Sequence, residues 1–384
     1  MTDALKIRAK RERTKRKILR FIKKNIVFFV AMAAALITSF FVPVDKEYIS
    51  YFDFRTLACL FLTLLVVCAL RNVKFFTIVA RKLVLLSGNL RGLFIMLIVI
   101  TFVGSMLIAN DMALITFLPL GYFALSVSKE EKYMAYLFVL QNISANLGGM
   151  LTPFGNPQNL YLYSYFSIPT LEFTRIMLPP FVLAIALLMV CTLFVKPKKL
   201  SIKEEFGESL NRKRTAVYMV LFALSLLIVF RVVPYIWGLV LISALMLFLD
   251  REAFLMVDYA LLGTFFFFFI FAGNMARIEA VNSFVSSLLE KDTLLVSTAS
   301  CQFISNVPSA ILLSRFTSDF EALLLGVNIG GTGTLIASLA SLITFSEFRL
   351  LYPKDGKKYF LLFTLVNVIF LVIMTLAAKF VFLA

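Results

Sequence analysis

The sequence contains no histidine among its 384 residues, and only 16% of its side chains are charged. Without histidine there is no HExxH metalloprotease site, no Ser-His-Asp triad and no imidazole proton relay. A soluble chain of this length would have about 25% charged residues. The low charge therefore argues against a soluble fold.

Cysteine is also scarce, with four residues (Cys59, Cys68, Cys191 and Cys301) scattered through apolar segments. None of them shows CxxC spacing, so the sequence indicates neither a disulfide framework nor a zinc site.

Hydrophobic residues, in contrast, make up 61% of the chain. Apolar runs of roughly 18 or more residues recur along it, and each can cross a hydrocarbon layer of about 30 Å. The sequence therefore predicts an all-α polytopic membrane protein, with membrane lipid as its surroundings.

The net charge of +16 is unevenly distributed. Four segments together carry +21, and the rest of the chain carries −5; the four are 1–24, 71–91, 196–214 and 349–358. Basic residues in short loops are typical of the cytoplasmic face of a membrane protein. We therefore predict a bacterial inner-membrane protein with a cytoplasmic N-terminus and an external C-terminus, and no nucleic-acid partner.

An internal repeat is the most informative pattern. Residues 146–166 match residues 328–348 at seven of 21 positions without a gap. Upstream, Ala109-Asn110-Asp111 aligns with Ser305-Asn306-Val307, and Asp53 aligns with Asp258. The charge distribution gives the two copies opposite orientations, which is the inverted repeat of secondary transporters.

The repeat and the charges together predict the domain organisation. It comprises a cytoplasmic basic amphipathic segment (1–24), a first transmembrane helix belonging to the scaffold (25–50), a first inverted repeat (51–195) with a hairpin (92–127) and a broken helix (133–167), a cytoplasmic basic loop (196–214), scaffold helices (215–256), and a second inverted repeat (257–384) with a hairpin (293–317) and a broken helix (319–348). Charge alone leaves open whether the hairpins cross the membrane fully or re-enter, because both choices give the same sidedness.

Helix-breaking residues interrupt both repeats. Residues 148–157 contain two prolines and three glycines, and residues 330–334 contain three glycines. Broken helix at membrane depth must line a protein cavity, because unpaired backbone groups are costly in lipid. The half-helix ends that result can hold an anion and a cation.

Asp111 is the only acidic residue between Asp53 and Glu130. At membrane depth it must be paired, protonated or in contact with water, and each of these makes it a candidate for the coupling ion. The alternative places it in an ordinary external loop. The sequence shows no lysine or arginine close to either hairpin centre.

Four motifs, IANDMALITFLPL, LTPFGNPQNLYLY, ISNVPSAILL and NIGGTGTLIASLAS, occur in order. Over roughly residues 50–350 they resemble the ion transporter superfamily, which includes divalent-anion/sodium symporters, citrate permeases, arsenite-efflux permeases and sodium/proton antiporters. The hairpin centres look most like the arsenite-permease branch. The resemblance implies a homodimer in which a transport domain moves as an elevator against a scaffold domain, with re-entrant hairpins.

The resemblance also implies site residues. Those expected to contact substrate are Asn110, Asp111, Pro157, Asn306, Pro308, Ser309 and Thr334. Those expected to bind coupling ions are Asn110, Asp111, Gly155 and Asn156 in the first half, and Asn306, Ala337 and Ser338 in the second. Sodium is the one metal that the interpretation allows, and no cofactor is expected.

We therefore predict a secondary active transporter, not an enzyme, for a small anion or oxyanion coupled to sodium or protons. The alternatives are proton-coupled efflux of arsenite or another metalloid, sodium/proton antiport in the same fold and, more remotely, a channel. The carboxylate of Asp111 replaces a hydroxyl of the dicarboxylate branch, which has Ser-Asn-Thr at both centres. That replacement disfavours a dianionic substrate and favours a neutral one such as arsenous acid.

Overall fold

The structure, a computed structural model, describes residues 25–200 and 210–383. The predicted basic segment 1–24, part of the predicted loop 196–214 and the last residue lie outside the described residues. Within the described ranges the chain is helical and contains no strand, only one isolated bridge between Asn89 and Lys199. The predicted all-α fold is confirmed.

Eight α-helices form the first part of the chain. They are α1 (Ile26–Ser39), α2 (Phe54–Asn72), α3 (Phe75–Leu85), α4 (Leu90–Ile108), α5 (Asn110–Val127), α6 (Met134–Gly148), α7 (Pro157–Tyr165) and α8 (Thr170–Thr192). Short 3₁₀ helices occupy Lys46–Tyr51, Glu131–Tyr133 and Gly149–Leu151.

Nine further helices follow. They are α9 (Arg212–Val229), α10 (Tyr235–Leu249), α11 (Arg251–Met256), α12 (Tyr259–Arg277), α13 (Glu279–Ile304), α14 (Asn306–Leu313), α15 (Phe320–Ile329), α16 (Leu339–Leu351) and α17 (Gly356–Ala377). A 3₁₀ turn at Pro353–Asp355 precedes α17, and a π-helical turn at Ala378–Phe382 follows it. Helix α13 bends at Asp292, whose backbone leaves the helical region and whose side chain accepts a hydrogen bond from Leu295 N at 2.8 Å.

Six helical stretches in the described part of the chain are long and apolar enough to cross a membrane. They are α2, α4, α5, α8, α12 and the stretch 353–382 around α17. Helices α1, α10 and α15 are apolar but shorter, with 14, 15 and 10 residues. This pattern confirms the multi-pass membrane protein that the composition predicts.

Helix starts follow capping chemistry. The carboxylates of Asp53, Asp258 and Asp319 accept hydrogen bonds from the backbone amides three residues ahead, at the starts of α2, α12 and α15. Such caps satisfy one of the four free amides at a helix N-terminus. The aligned residues Asp53 and Asp258 therefore perform the same local role.

The helices pack into one buried core. Helix α1 runs along α12, α4 packs against α6, α13 packs against α15, and α9 packs on α2. Most of α2 is buried, whereas the stretch around α17 is mainly exposed.

The segment after α8 is tied back to the start of α4. Leu90 N donates to Lys198 O at 2.8 Å, and Arg91 Nε donates to Val195 O at 2.9 Å. Lys198 also forms an ion pair with Glu130, which is 2% exposed in the turn between α5 and α6. Residues 195–200 thereby join the bases of α4, α5 and α8.

Candidate functional site

The first hairpin turns at residues 109–111, here called the first tip. Helix α4 ends at Ile108 and α5 begins at Asn110, so one residue, Ala109, makes the turn with φ 64° and ψ 151°. The side chain of Asn110 accepts from Asp111 N at 2.9 Å and donates to Asn146 Oδ1 at 3.1 Å. The tip is thus anchored to α6 by a buried amide pair.

The second tip, residues 305–307, is built in the same way. Ser305 makes the turn between α13 and α14 with φ 75° and ψ 157°. Asn306 Oδ1 accepts from Val307 N at 2.9 Å, and Asn306 N donates to Ala337 O at 2.9 Å. A positive φ is costly for residues other than glycine, so the surrounding contacts must hold both turns.

The first broken segment comprises α6, residues 149–156 and α7. Pro153 and Pro157 cannot donate backbone hydrogen bonds, which ends α6 and sets the start of α7. Gly148 lies so close to α4 that a Cβ on it would approach Phe102 O to 2.3 Å. The break therefore packs directly against the first hairpin.

The second broken segment comprises α15, residues 330–338 and α16. Gly333 has φ 109°, a conformation that side-chain-bearing residues rarely adopt. Ser338 starts α16 by accepting from Ser341 N at 3.1 Å. The glycine therefore allows the turn, and the serine restarts the helix.

Two aligned threonines make the same contact in the two halves. Thr152 Oγ1 donates to Met106 O at 2.9 Å, and Thr334 Oγ1 donates to Gln302 O at 3.0 Å. Met106 and Gln302 each lie four residues before the asparagine of their tip. Each hydroxyl thus links a broken segment to the hairpin beside it.

Gln302 adds a second link, which the first half lacks. Its side-chain amide donates to Gly330 O at 2.9 Å and to Thr332 O at 3.1 Å, and its Oε1 accepts from Thr334 N at 2.9 Å. One side chain therefore replaces the backbone partners that the broken helix has lost.

The two broken segments meet along a buried set of neutral side chains, here called the polar seam. Asn328 Nδ2 donates to Asn159 Oδ1 at 2.6 Å, and Asn156 Nδ2 donates to Asn328 Oδ1 at 3.4 Å. Asn142 contacts the second segment at Ser341 Oγ and Thr344 Oγ1, each at 3.3 Å. The seam consists of Asn142, Asn156, Asn159, Asn328, Ser341 and Thr344, each at most 1% exposed.

A cavity of about 70 Å³ lies beside the first tip, between α2, α5, α7, α12 and α16. Asp111, Asn156 and Pro157 line it together with Asp258. Within the described part of the chain, Asp111 Oδ1 is buried without a hydrogen-bond partner. The cavity therefore brings together Asp111, Asn156 and Pro157, which the sequence predicts as site residues, and Asp258, to which the sequence assigned no site role.

A basic residue also approaches the first tip. Arg71 Nη1 lies 3.6 Å from the sulfur of Met112, the residue after Asp111. Arg71 therefore contacts α5 one residue beyond the first tip. Arg71 is 40 residues from Asp111 in sequence, and packing of α2 beside the hairpin brings it near.

Several predicted site residues are brought together. Asn110 and Asn156 both bond to Asn146, the latter through Asn146 O at 3.3 Å. Asn306 contacts Ala337 directly, and Gly155 lies against Gly149, where a Cβ on Gly155 would come within 2.3 Å of Gly149 O.

Other predicted residues face elsewhere. Ser309 Oγ pairs with Ser300 Oγ at 2.9 Å across its own hairpin. Pro308 is buried within α14, and Ser338 pairs with Ser341 at 2.8 Å. These contacts stay within the second half, apart from the link that Ser341 makes to Asn142.

Sequence reasoning did not assign a role to Asn142, Gln302 or Asp258. Buried amides in otherwise apolar helices are a usable signal, because a polar group in lipid needs a partner. Asn142 and Gln302 fit that description. Asp258 lacked such a signal, since a carboxylate before a helix is ordinarily only a cap.

Comparison with known proteins places these features in a family. Residues 14–322 match the family described as "Citrate transporter". An uncharacterized transporter of Methanocaldococcus jannaschii is 34% identical over 294 residues, covering 76% of this chain and 80% of that protein. The inner membrane protein YbiR of Escherichia coli is 28% identical over 334 residues, covering 85% and 88%.

A plant protein is similar over a shorter stretch. The silicon efflux transporter LSI3 of Oryza sativa subsp. japonica is 31% identical over 169 residues, which is 44% of this chain and 34% of that protein. The family match spans well over half of the chain, and the archaeal relative is similar over three quarters of it. The chain therefore belongs to the citrate transporter family, within the ion transporter superfamily, and is a multi-pass membrane transporter.

Proposed function

We propose that this chain is a secondary active transporter that moves a small anion or oxyanion across the inner membrane by an elevator mechanism. Sodium or protons supply the driving force. The two hairpins re-enter the membrane, and the two halves form an inverted repeat. The N-terminus lies in the cytoplasm and the C-terminus outside.

One observation carries this proposal: two separate parts of the chain build the same tip and link it in the same way to a broken segment. The turns at Ala109 and Ser305, the asparagine side chains that accept from the next backbone amide, and the links from Thr152 and Thr334 all correspond. Such duplication around broken helices supports alternating access.

The proposed substrate site lies between the two tips. The N-termini of α7 and α16, at Pro157 and Leu339, offer the positive ends of helix dipoles to an anion. Asn110 and Asn306 supply neutral donors and acceptors.

Flux into proteoliposomes tests this function. Purified protein is reconstituted, and uptake of labelled citrate, succinate, phosphate or arsenite is measured under an imposed sodium gradient, an imposed pH gradient or neither. We expect saturable flux that requires one of the gradients and that Asp111→Asn reduces to the level of empty vesicles. Flux that is non-saturating and independent of both gradients would indicate a channel instead.

A second candidate function is efflux of a neutral oxyacid, such as arsenous acid, in exchange for protons. The buried Asp111 Oδ1 without a partner supports it, because a neutral substrate avoids repulsion at that carboxylate. A rice relative that is named for silicon efflux also supports it. Sodium-driven uptake of citrate or succinate in the same vesicles would exclude this reading. Sodium/proton exchange without any other substrate would identify the antiport alternative.

We propose that the transporter works as a homodimer, as the resemblance implies. Helices α9 and α10 expose large apolar side chains, among them Val220, Trp237 and Phe248. Light scattering of the protein in detergent should give twice the mass of the chain, after correction for bound detergent. A monomeric mass at all protein concentrations would exclude the dimer.

A further inference from the structure

Arg231 holds the end of α7 from the turn between α9 and α10. Its Nη1 donates to Ser167 O at 3.0 Å, and its Nη2 donates to Tyr163 O. The guanidinium also lies over the ring of Tyr163, 4.6 Å from the ring centre. Both carbonyls lie at or just after the C-terminus of α7, where the helix dipole favours a positive charge. One side chain therefore makes three contacts with the end of the first broken segment.

Arg315 makes a similar contact in the other direction. It lies two residues after α14, at the end of the second hairpin, and its Nη2 donates to Tyr51 O in the 3₁₀ helix after α1. Its guanidinium lies 5.2 Å from the ring centre of Tyr165, which is also in α7. Tyr51 is 4% exposed, and its hydroxyl accepts from Arg277 Nη1 at 3.0 Å. Arg315 therefore joins the second hairpin and α7 to a residue that is itself fixed to α12.

The two arginines cross the boundary between the domains that the sequence predicts. Arg231 lies in the segment predicted as scaffold helices, whereas both of its acceptors lie in the first broken segment. Arg315 lies in the second hairpin, whereas its acceptor, Tyr51, directly follows the predicted first scaffold helix. Each guanidinium therefore connects a part that the proposed elevator moves to a part that stays in place.

Apolar contacts cross the same boundary, but they respond differently to sliding. The ring of Phe154 lies 6.4 Å from that of Phe222 and 5.9 Å from that of Phe230. An apolar ring can exchange one apolar neighbour for another as helices slide, because hydrophobic contact is not directional. A guanidinium hydrogen bond is directional and has to break first. The arginines therefore separate a held arrangement from a released one.

The backbone at the Arg231 contact supports a role for its side chain. Arg231 has φ 66° and Ser167 has φ 53°, so both residues adopt the left-handed conformation. Each follows the end of a helix, where glycine is the usual residue because it adopts this conformation without steric cost. An arginine at such a position is costly, and its contacts with α7 offset that cost.

The contacts of both arginines are also incomplete, which makes them easier to release. Among the described residues, Nε of Arg231 and Nε of Arg315 are buried without a hydrogen-bond partner, and neither guanidinium has a carboxylate partner. Arg277, in contrast, pairs with Asp45 at 2.7 Å and with Glu47 at 3.5 Å. Water can satisfy the free donors once the contact opens, so opening recovers part of its cost.

We propose that Arg231 and Arg315 are positioning residues that form a clamp between the scaffold and the moving part of the transporter. The clamp holds the end of α7 and the second hairpin in the arrangement of this structure, and it opens before they move. Its strength sets the balance between the held and the released arrangement. The opening rests on the proposed elevator function, whereas the holding contact does not.

A reversible cross-link tests whether the clamp opens during transport. Ser167→Cys and Val232→Cys are combined, since both positions are exposed and lie on opposite sides of the contact. The protein is treated with a reducible, water-soluble bifunctional thiol reagent and reconstituted, and flux is measured before and after reduction. We expect the cross-link to lower flux to the level of empty vesicles and reduction to restore it. The wild type, treated in the same way, controls for reaction at the native cysteines.

Spin labels on the same two cysteines test, without transport, whether Arg231 holds the clamp. We expect Arg231→Gln to raise the ratio of long to short label distances by at least about fivefold, because its hydrogen bonds to α7 are lost. Arg231→Lys keeps the charge but loses the planar fork, so its ratio should be intermediate. Arg251→Gln is the matched control, since Arg251 Nε donates to Leu247 O at 2.9 Å within the predicted scaffold. Its ratio should equal that of the wild-type background.

Two results would overturn the proposal. They are full flux through the cross-linked protein, which a purely structural contact would allow, and unchanged label distances in Arg231→Gln. Absence of flux from the wild type with every solute and gradient would instead refute the proposed transport function. The label distances would then still decide whether Arg231 holds the end of α7, because that measurement needs no substrate.

Discussion

Asn328 donates its side-chain amide to Oδ1 of Asn159 at 2.6 Å, and the two residues belong to different broken segments. Asn328 also donates to Leu324 O at 2.8 Å, and Asn159 donates to Met150 O at 3.1 Å. Asn159 thus supports the helix break in its own half, Asn328 bonds back to its own helix α15, and the pair joins the two halves. The polar seam therefore couples the positions of the two breaks.

Replacement of Asn328 by leucine should lower the free energy of unfolding by about 1–3 kcal/mol, because Asn159 Oδ1 would then be buried without a donor. The change is measured as a fall in melting temperature in detergent. Asn282→Leu is the control, since that amide lies at a half-buried position, where it donates to Ala276 O at 2.9 Å and accepts from Ser286 Oγ at 3.5 Å. Equal losses in the two variants would contradict the role given to the seam.

The links from Thr152 and Thr334 to the hairpins should matter for transport more than for stability. Valine in place of either threonine keeps the shape and removes one hydrogen bond, worth about 1 kcal/mol. We expect flux in proteoliposomes to fall by about fivefold, the factor that corresponds to about 1 kcal/mol.

Thr116→Val is the matched control for those variants. The Thr116 hydroxyl donates to Met112 O within its own helix at 2.8 Å, so its loss leaves the hairpin and broken segment linked. Flux through Thr116→Val should stay close to that of the wild type. A fall as large as that for Thr152→Val would show that the loss does not depend on this link.

Glycine at the first tip should stabilise the protein. Ala109 has φ 64° and ψ 151°, a region that is almost exclusive to glycine and costs other residues about 1–3 kcal/mol. Part of this gain is offset by the greater freedom of glycine in the unfolded chain, so Ala109→Gly should add about 1 kcal/mol. Ala33→Gly, at an exposed position inside α1, should instead cost about 1 kcal/mol. A lower melting temperature for Ala109→Gly would contradict this reading of the turn.

The ion pair of Glu130 predicts a pH dependence of stability. The hydrogen bond from Lys198 lowers the pKa of Glu130 below its ordinary value. The stabilisation is therefore complete above the ordinary carboxyl pKa of about 4.3 and is lost as pH falls through the lower pKa of the folded state. Glu130→Gln should flatten the dependence of the melting temperature on pH in this acidic range.

Glu131→Gln provides the comparison, since Glu131 is the exposed neighbour of Glu130. Its profile should follow that of the wild type. Identical profiles for the wild type and Glu130→Gln would show that residues 195–200 are not held through this carboxylate.

Local features of the structure could be predicted from the sequence, whereas contacts between distant helices could not. Glycine and proline act on their own backbone, so residues 148–157 predict an interrupted helix without knowledge of the rest of the fold. The repeated asparagines at 110 and 306 indicate the tips for the same reason. The bend of α13 at Asp292 has no glycine or proline to announce it and depends on a single capping side chain.

The approach of Arg71 and Asp258 to the first tip illustrates what sequence could not supply. Asp258 lies 147 positions after Asp111, and the contact depends on how α2 and α12 pack beside the hairpin. Helix packing is set by the shapes of many side chains together, and no short motif encodes it. The sequence therefore predicted most of the residues at the tips but missed the side chains opposite them.

The polar seam has a consequence for electrical measurements. All six of its side chains are neutral, and the membrane potential acts only on charge, by about 2.3 kcal/mol per elementary charge for each 100 mV. Under the proposed elevator mechanism, voltage therefore exerts no direct net force on the seam. Charge movement during the proposed transport cycle would then report the cargo, any coupling ions and the ionised side chains that move with them, and not the seam.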